Sequence, residues 1–164
     1  MTFRDSDLFD ILDLVRTAGQ REILPRFRRF DAPDIVEKKS SIDLVTDADL
    51  KTEAYLTAEL LKRWPEALVV GEEACESNPA LVSALPDADL AFVIDPVDGT
   101  FNFQAGLPVF GTNLAVVKRG DTIAALIHDC VLADTLVASK GAGARWLRAD
   151  GTEAAIRVAA ATEL

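Results

Sequence analysis

The chain has 164 residues, with 17 Lys and Arg against 27 Asp and Glu, for a formal net charge of −10. Its 49% hydrophobic and 27% charged residues exclude a disordered, collagen-like or coiled-coil chain, and the length suits one domain with a buried core. The acidic balance lacks the clustered Lys and Arg that grip a phosphate backbone, so no direct nucleic-acid binding is expected.

In chain order, the N-terminus MTFRDSDLFD carries acids where a secretory signal needs a basic start and an apolar run. Leu8, Ile11, Leu12, Val15 and Ala18 then recur at spacings of three and four and predict a helix, with Asp5 or Ser6 as its cap. The stretch from Gly19 to Phe30 is basic, and residues 31–42, with Pro33 and Lys38-Lys39-Ser40-Ser41, read as a connecting loop. A second helix is predicted from Asp47, with Leu50, Ala54, Thr57, Leu61 and Trp64 as its apolar stripe and Pro65 as its stop.

The period then changes. Ala67–Val70 and Ala91–Ile94 predict buried strands that deliver Gly71-Glu72-Glu73 and Asp95-Pro96 at their ends. From Gly111 onward the pattern is a meander. Thr112–Val117 and Thr122–Ile127 flank a Lys118-Arg119-Gly120-Asp121 turn, Thr135–Ser139 leads into Gly141-Ala142-Gly143, and Trp146–Arg148 and Ile156–Val158 flank Asp150-Gly151. Helices first and adjacent antiparallel strands later predict a layered α/β (α+β) sandwich. The uncharged stretch Gly99–Val117 contains Asn102, Gln104, Pro108, Thr112 and Asn113 and does not read as membrane-spanning. A cytoplasmic protein with no membrane association is expected. The tail Ala159–Leu164 follows a strand with no clear stop, which would leave an open sheet edge after Ile156–Val158.

Three acidic clusters can carry chemistry. In Asp95-Pro96-Val97-Asp98-Gly99-Thr100, a tight turn would aim Asp95 and Asp98 at one point. Oxygen ligands of this kind suit Mg²⁺, and the Val97 carbonyl could add one more. Gly99 allows close approach of the main chain to a ligand, and Gly99 and Thr100 could present N–H groups to a phosphate at a helix start. The same residue types also make an ordinary surface turn. Glu72 and Glu73 sit where a strand end opens on a cleft, or are simply solvated. In Asp43-Leu44-Val45-Thr46-Asp47-Ala48-Asp49, Thr46 and Asp49 have capping-box spacing; alternatively Asp49 accepts a hydrogen bond from a catalytic hydroxyl. An EF-hand is not expected, because the sixth position counted from Asp47 is Thr52, not Gly. His128, the single histidine, reads as a packed imidazole, and Cys75 and Cys130 as reduced thiols outside any motif. Gly141-Ala142-Gly143 is no phosphate loop, since no Gly-Lys-Ser/Thr follows.

Taken in order, Asp43-x-Val45-Thr46-x-x-Asp49, Gly71-Glu72-Glu73 and Asp95-Pro96-Val97-Asp98-Gly99-Thr100 with Asn102-Phe103 behind it resemble the inositol monophosphatase family. The resemblance implies an α/β sandwich of that type and Mg²⁺-dependent hydrolysis of a small phosphate monoester. It makes Glu72, Asp95, the Val97 carbonyl and Asp98 the metal ligands. Val97, Asp98, Gly99 and Thr100 become the substrate-contacting segment, and Asp49, Glu72 and Thr100 the groups that position and activate the attacking water. Lys38 matches a basic position near the family's site.

The family's later Trp-Asp motif has no counterpart, because Trp64 is followed by Pro65 and Trp146 by Leu147. The expectation is therefore that residues 1–164 are the N-terminal part of a single domain, poorly active alone and homodimeric at full length. Inositol monophosphate is the first expected substrate; histidinol phosphate, fructose bisphosphate and nucleotide 3′,5′-bisphosphate are used by relatives. Bacterial relatives that act as partners of the transcription machinery give a non-catalytic alternative. Residues 44–49 also resemble the strand-DxD segment of haloacid-dehalogenase phosphatases, with Asp47 as nucleophile, but Leu50-Lys51 follows and the acids sit at a helix start.

Overall fold

The structure is a computed structural model that describes residues 3–29, 35–40 and 43–158. Helix α1 (Asp5–Ala18) buries Leu8, Ile11, Leu12, Val15 and Ala18, as their spacing predicts. Its cap differs from the expectation. Arg4, not Asp5 or Ser6, is the N-cap, and its backbone N–H donates to Asp7 Oδ2 at 2.7 Å, so the Asp7 carboxylate closes the first turn. The chain continues through a π-helical turn at Gly19–Ile23.

Strands β1 (Ile35–Ser40) and β2 (Asp43–Thr46) form an antiparallel pair with Val36 opposite Val45. This corrects the loop expected over residues 31–42 at positions 35–40; residues 31–34 and 41–42 lie outside the described residues. A polar tract makes a strand wherever a partner satisfies its backbone N–H and C=O groups, and its side chains do not announce that partner.

Helix α2 (Asp47–Arg63) buries Ala48, Asp49, Thr52, Glu53, Leu56 and Leu60. This is not the predicted face: Leu50 is 48% exposed, Ala54 is exposed, Thr57 and Leu61 are half-buried, and of that stripe only Trp64 is buried. Periodicity assigns polar residues to solvent. Here Asp49 and Glu53 turn inward because each finds hydrogen-bond partners inside, as described below.

The main sheet has seven strands in sequence order: β3 (Leu68–Gly71), β4 (Ala91–Asp98), β5 (Gly111–Lys118), β6 (Asp121–His128), β7 (Thr135–Ser139), β8 (Gly143–Leu147) and β9 (Glu153–Ile156). Strand β3 runs parallel to β4 and every later neighbour is antiparallel. Short helices α3 (Glu72–Ser77) and α4 (Ala80–Ala84) lie in the β3–β4 connection, and α5 (Thr100–Gln104) follows β4. The layered sandwich is as expected. Strand β4 runs four residues beyond Ile94, to Asp98. Strands β8 and β9 begin earlier than predicted, at Gly143 and Glu153, because β8 pairs with β7 from Ser139↔Gly143 onward and the turn to β9 is closed by the Arg148 N–H donating to the Thr152 carbonyl at 2.9 Å.

One face of the sheet carries Phe92, Ile94, Leu114, Val116, Leu126 and Val137 into the core against α1 and α2, with the Trp64 and Phe92 rings 5.1 Å apart. The alternate residues of the same strands, including Val93, Ala115, Ala125, Ile127 and Leu136, are also apolar. On that second face Ile127 and Leu136 remain 51% and 38% exposed. Among the described residues, no helix is long and apolar enough to cross a membrane.

The inward face of α2 can be tested directly by chemical denaturation. Leu56→Ala, from a fully buried position, should cost about 2–5 kcal/mol. Leu50→Ala should cost less than about 1 kcal/mol, because half of that side chain is already in water.

Candidate functional site

The site is built at the carboxyl ends of the parallel pair. Gly71 of β3 lies opposite Ile94 of β4, so the next residues, Glu72 just after the end of β3 and Asp95 within β4, stand side by side. Asp95 and Asp98 do not sit in a tight turn, as the sequence suggests, but on one continuous strand. Residues three apart on a regular strand point to opposite faces. The pairing shifts between Asp95↔Asn113 and Asp98↔Gly111, so three steps on β4 match two on β5. That bulge returns Asp98 to the face of Asp95. Pro96 fits the irregularity because it has no N–H to leave unpaired. The Pro96 carbonyl accepts the Thr112 hydroxyl at 2.8 Å, and Asn113 Nδ2 donates to Asp98 Oδ2 at 2.7 Å.

Gly99 adopts φ +95°, and a Cβ there would stand 2.8 Å from the Val109 carbonyl. The close approach that this glycine allows is therefore to the protein's own backbone. It turns the chain into α5, where the Thr100 hydroxyl lies 3.0 Å from the Val97 carbonyl and 3.4 Å from Asp49 Oδ1. Both readings of the α2 start hold together. Thr46 caps the helix, its hydroxyl accepting from the N–H groups of Ala48 and Asp49 at 3.2 and 3.4 Å. Asp49 returns the capping bond by accepting from the Thr46 N–H at 2.9 Å and from its hydroxyl. Its other oxygen is left to face Thr100.

Four carboxylates thus gather at Asp95. Asp49 is 1% exposed and half-buried Asp95 stands among the others, whereas Glu72 and Asp98 are exposed. Burial pushes the Asp95 carboxyl up, and the charges of Glu72, Asp98 and Asp49 push it further, to about 7. Burial also raises Asp49, against the hydrogen bonds from Thr46. Asp95 Oδ1 is buried and has no hydrogen-bond partner. Among the described residues, no Lys or Arg pairs with any of the four acids. Among the described residues, no three His, Cys, Asp or Glu side chains stand together as a ready metal-binding group, and of the four acids Glu72 and Asp95 line an open cleft. Its volume is about 490 Å³, with Glu72, Asp95 and Asn113 along one stretch and Val82, Leu85, Val93 and Ile127 along another.

The remaining candidates fall outside this cluster. Asp47 is held below the usual carboxylate range by hydrogen bonding to Lys51 and Arg26, at 2.6 and 2.9 Å, which leaves it poorly placed as a nucleophile. His128 is buried against Thr135 Oγ1 at 2.9 Å, and desolvation lowers its pKa, as suits a packed imidazole. Both cysteines are free, and burial pushes Cys130 up to about 11 and raises Cys75 as well. The side chains of Lys38, Asp43 and Val45 lie outside the described residues. Sequence reasoning missed Asn113 and Glu53. Asn113 stands alone in an uncharged stretch, and Glu53 sits on what reads as the solvent side of a helix, so neither position carries a local signal.

The chain matches the inositol monophosphatase family over residues 10–162 and belongs to that family. It is 34% identical over 120 residues to Nus factor SuhB of Escherichia coli K12, covering 72% of this chain and 43% of that protein. It is 35% identical over 112 residues to a fructose-1,6-bisphosphatase/inositol-1-monophosphatase of Thermotoga maritima, covering 68% of this chain and 40% of the relative. Among solved structures, Thermotoga maritima IMPase superposes with a TM-score of 0.76 at 28% identity, over 97% of this chain and 56% of that one. The SuhB protein of Bartonella henselae, at 24% identity and a TM-score of 0.72 over 85% of this chain and 52% of its own, shares the fold. The chain therefore spans about half the length of the relatives it matches.

The crowding at Asp95 gives a stability prediction. Above pH 7, where Asp95 is ionised, Asp95→Asn removes one charge from a cluster with no cation among the described residues, so in chelator the variant should melt at or above the wild-type temperature. A clearly lower melting temperature in a thermal unfolding scan would show that the carboxylate contributes to the metal-free fold.

Proposed function

We propose that this member of the inositol monophosphatase family holds Mg²⁺ at its strand-end acids and contributes the metal-binding and water-activating part of a phosphate-monoester hydrolase. The observation that carries the reading is the convergence of Asp49, Glu72, Asp95 and Asp98, with a buried Asp95 oxygen lacking any partner. Like charges gathered this closely destabilise one another unless a cation joins them. The donor set fits Mg²⁺, which takes hard oxygen ligands and is commonly held by one or two carboxylates plus waters and phosphate oxygens. Glu72, Asp95, the Val97 carbonyl and Asp98 would hold it. When bound, the ion supplies positive charge to the phosphate and acidity to a water.

The chain's own groups then have defined tasks. The Thr100 hydroxyl has one proton and two acceptors in reach, the Val97 carbonyl and Asp49, so its oxygen can accept a hydrogen bond from the attacking water while its own proton points to Asp49. Buried Asp49 holds that hydroxyl in place, and Glu72, at the rim, can take a proton from the water. The backbone N–H groups of Gly99 and Thr100 would contact the phosphate. Neither cysteine is needed as a nucleophile, in keeping with the raised thiol pKa values.

The substrate class is a small phosphorylated metabolite, with inositol monophosphate the first to assay. The fructose-1,6-bisphosphatase/inositol-1-monophosphatase name of the Thermotoga relative supports adding fructose bisphosphate, and histidinol phosphate and nucleotide 3′,5′-bisphosphate complete the panel. Residues 1–164 act here as the N-terminal part of one cytoplasmic domain that dimerises at full length. The relatives named Nus factor SuhB support a second reading, an interaction role separate from catalysis. Partner capture that survives Asp95→Asn, Asp98→Asn would favour it.

Calorimetry with Mg²⁺ on the wild type and Asp95→Asn tests the metal reading. Affinity should fall at least about tenfold, and an unchanged affinity would refute it. In the natural protein that contains these residues, Thr100→Val should lower kcat by about 10²-fold while Mg²⁺ affinity holds. Wild-type turnover in that variant would remove both Thr100 and Asp49 from water activation.

A further inference from the structure

Helix α3 opens on Glu72, and its N-terminus is capped from elsewhere in the chain. Its N-cap, Gly71, has no side chain to offer. The first-turn amides of Glu73 and Ala74 instead donate to Glu53 Oε2 and Oε1, at 2.8 and 3.0 Å, from a residue about twenty positions upstream on α2. Both carboxylate oxygens are used, and the residue is 8% exposed. A six-residue helix is too short to hold itself in water, so its placement depends on such outside bonds. Gly71 is required by the same contact, because a Cβ there would overlap the Glu53 carboxylate.

We infer that Glu53 is the positioning residue for Glu72: it clamps the two amides that follow Glu72 and so fixes where that carboxylate stands relative to Asp95. The inference rests on the metal reading above. Glu53 lies four residues after Asp49, one turn along the same buried face. Asp49 reaches Thr100 at the β4 end, and Glu53 reaches the turn after β3. One rigid helix therefore sets the spacing between the two strand-end segments that carry the acids. An apolar residue at position 53 would fill the space but leave two half-buried N–H donors without their carboxylate partner. A carboxylate satisfies both without entering the ligand set itself.

The test is Mg²⁺ titration of the chain by calorimetry, with Glu53→Gln, Gly71→Ala and a control, Glu59→Gln, whose carboxylate pairs with Lys62 on the helix surface. Glutamine offers one acceptor oxygen in place of two and turns an N–H toward an N–H. The alanine displaces the carboxylate from the other side of the contact. Both should raise the Mg²⁺ Kd by about tenfold or more, the usual effect of losing a group that orients a metal ligand, and Glu59→Gln should leave it unchanged. Each titration is run below the onset of thermal unfolding for that variant, so loss of fold and loss of metal are read separately. Wild-type affinity in the folded Glu53→Gln and Gly71→Ala chains would overturn the inference. So would unfolding of both variants at every temperature, which would place the residue in the fold alone. A flat wild-type titration would refute the metal reading itself, before any variant is compared.

Discussion

The site depends on a single irregularity in pairing. Asp95 and Asp98 are three residues apart on β4, and a regular pleat would send them to opposite sides of the sheet. The bulge between the Asp95↔Asn113 and Asp98↔Gly111 pairs restores them to one side. Pro96 can occupy it without a lost N–H, and the chain beyond it can turn at Gly99, where a positive φ is required. Thr112 and Asn113 hold the bulge from β5, one by bonding the Pro96 carbonyl and the other by bonding Asp98. The convergence of acids follows from this geometry and from the parallel β3–β4 pairing, which brings Glu72 out beside Asp95.

Helix α2 divides its labour along its length. Its second half packs through Leu56 and Leu60 against the sheet. Its first half buries Asp49, Thr52 and Glu53, residues that are costly to bury without partners. Asp49 and Glu53 are buried with theirs: the start of their own helix and the Thr100 hydroxyl for one, the start of α3 for the other. A helix with both an apolar anchor and a polar working end is rigid where the site needs it. The core fixes the axis, and the polar end transmits that position to two loops.

The same division explains the electrostatics. The sheet below the site is apolar on both faces, and the charge is gathered at the strand ends. Low polarizability under the cluster is part of what lifts the Asp95 carboxyl to about 7, together with its three acidic neighbours. The basic segment after α1 is spent elsewhere: Arg26 pairs with Asp47 and Glu22, and Arg28 bonds the Gly106 carbonyl. The acids of the site stay free of the Lys and Arg among the described residues that would otherwise neutralise them.

Local sequence determined the first helix and the strands of the meander, because Leu8, Ile11, Leu12 and Val15 on α1 and the alternation along β5 to β7 are one-faced or two-faced apolar patterns with a single way to be buried. The resemblance carried by the ordered motifs grouped Asp49, Glu72, Asp95, Asp98 and Thr100, and the fold places these residues near one another. Tertiary structure alone decided the rest. The buried face of α2 was misread because Asp49 and Glu53 are satisfied by groups from other segments, and a polar residue bonded at long range looks, in sequence, like one facing water. The strand at 35–40 depended on its partner β2, and the extension of β4 through Pro96 on a bulge made with β5. Glu53 and Asn113 became visible only once the fold brought α3 and β4 to them, because a hydrogen bond between distant segments leaves no periodicity to read.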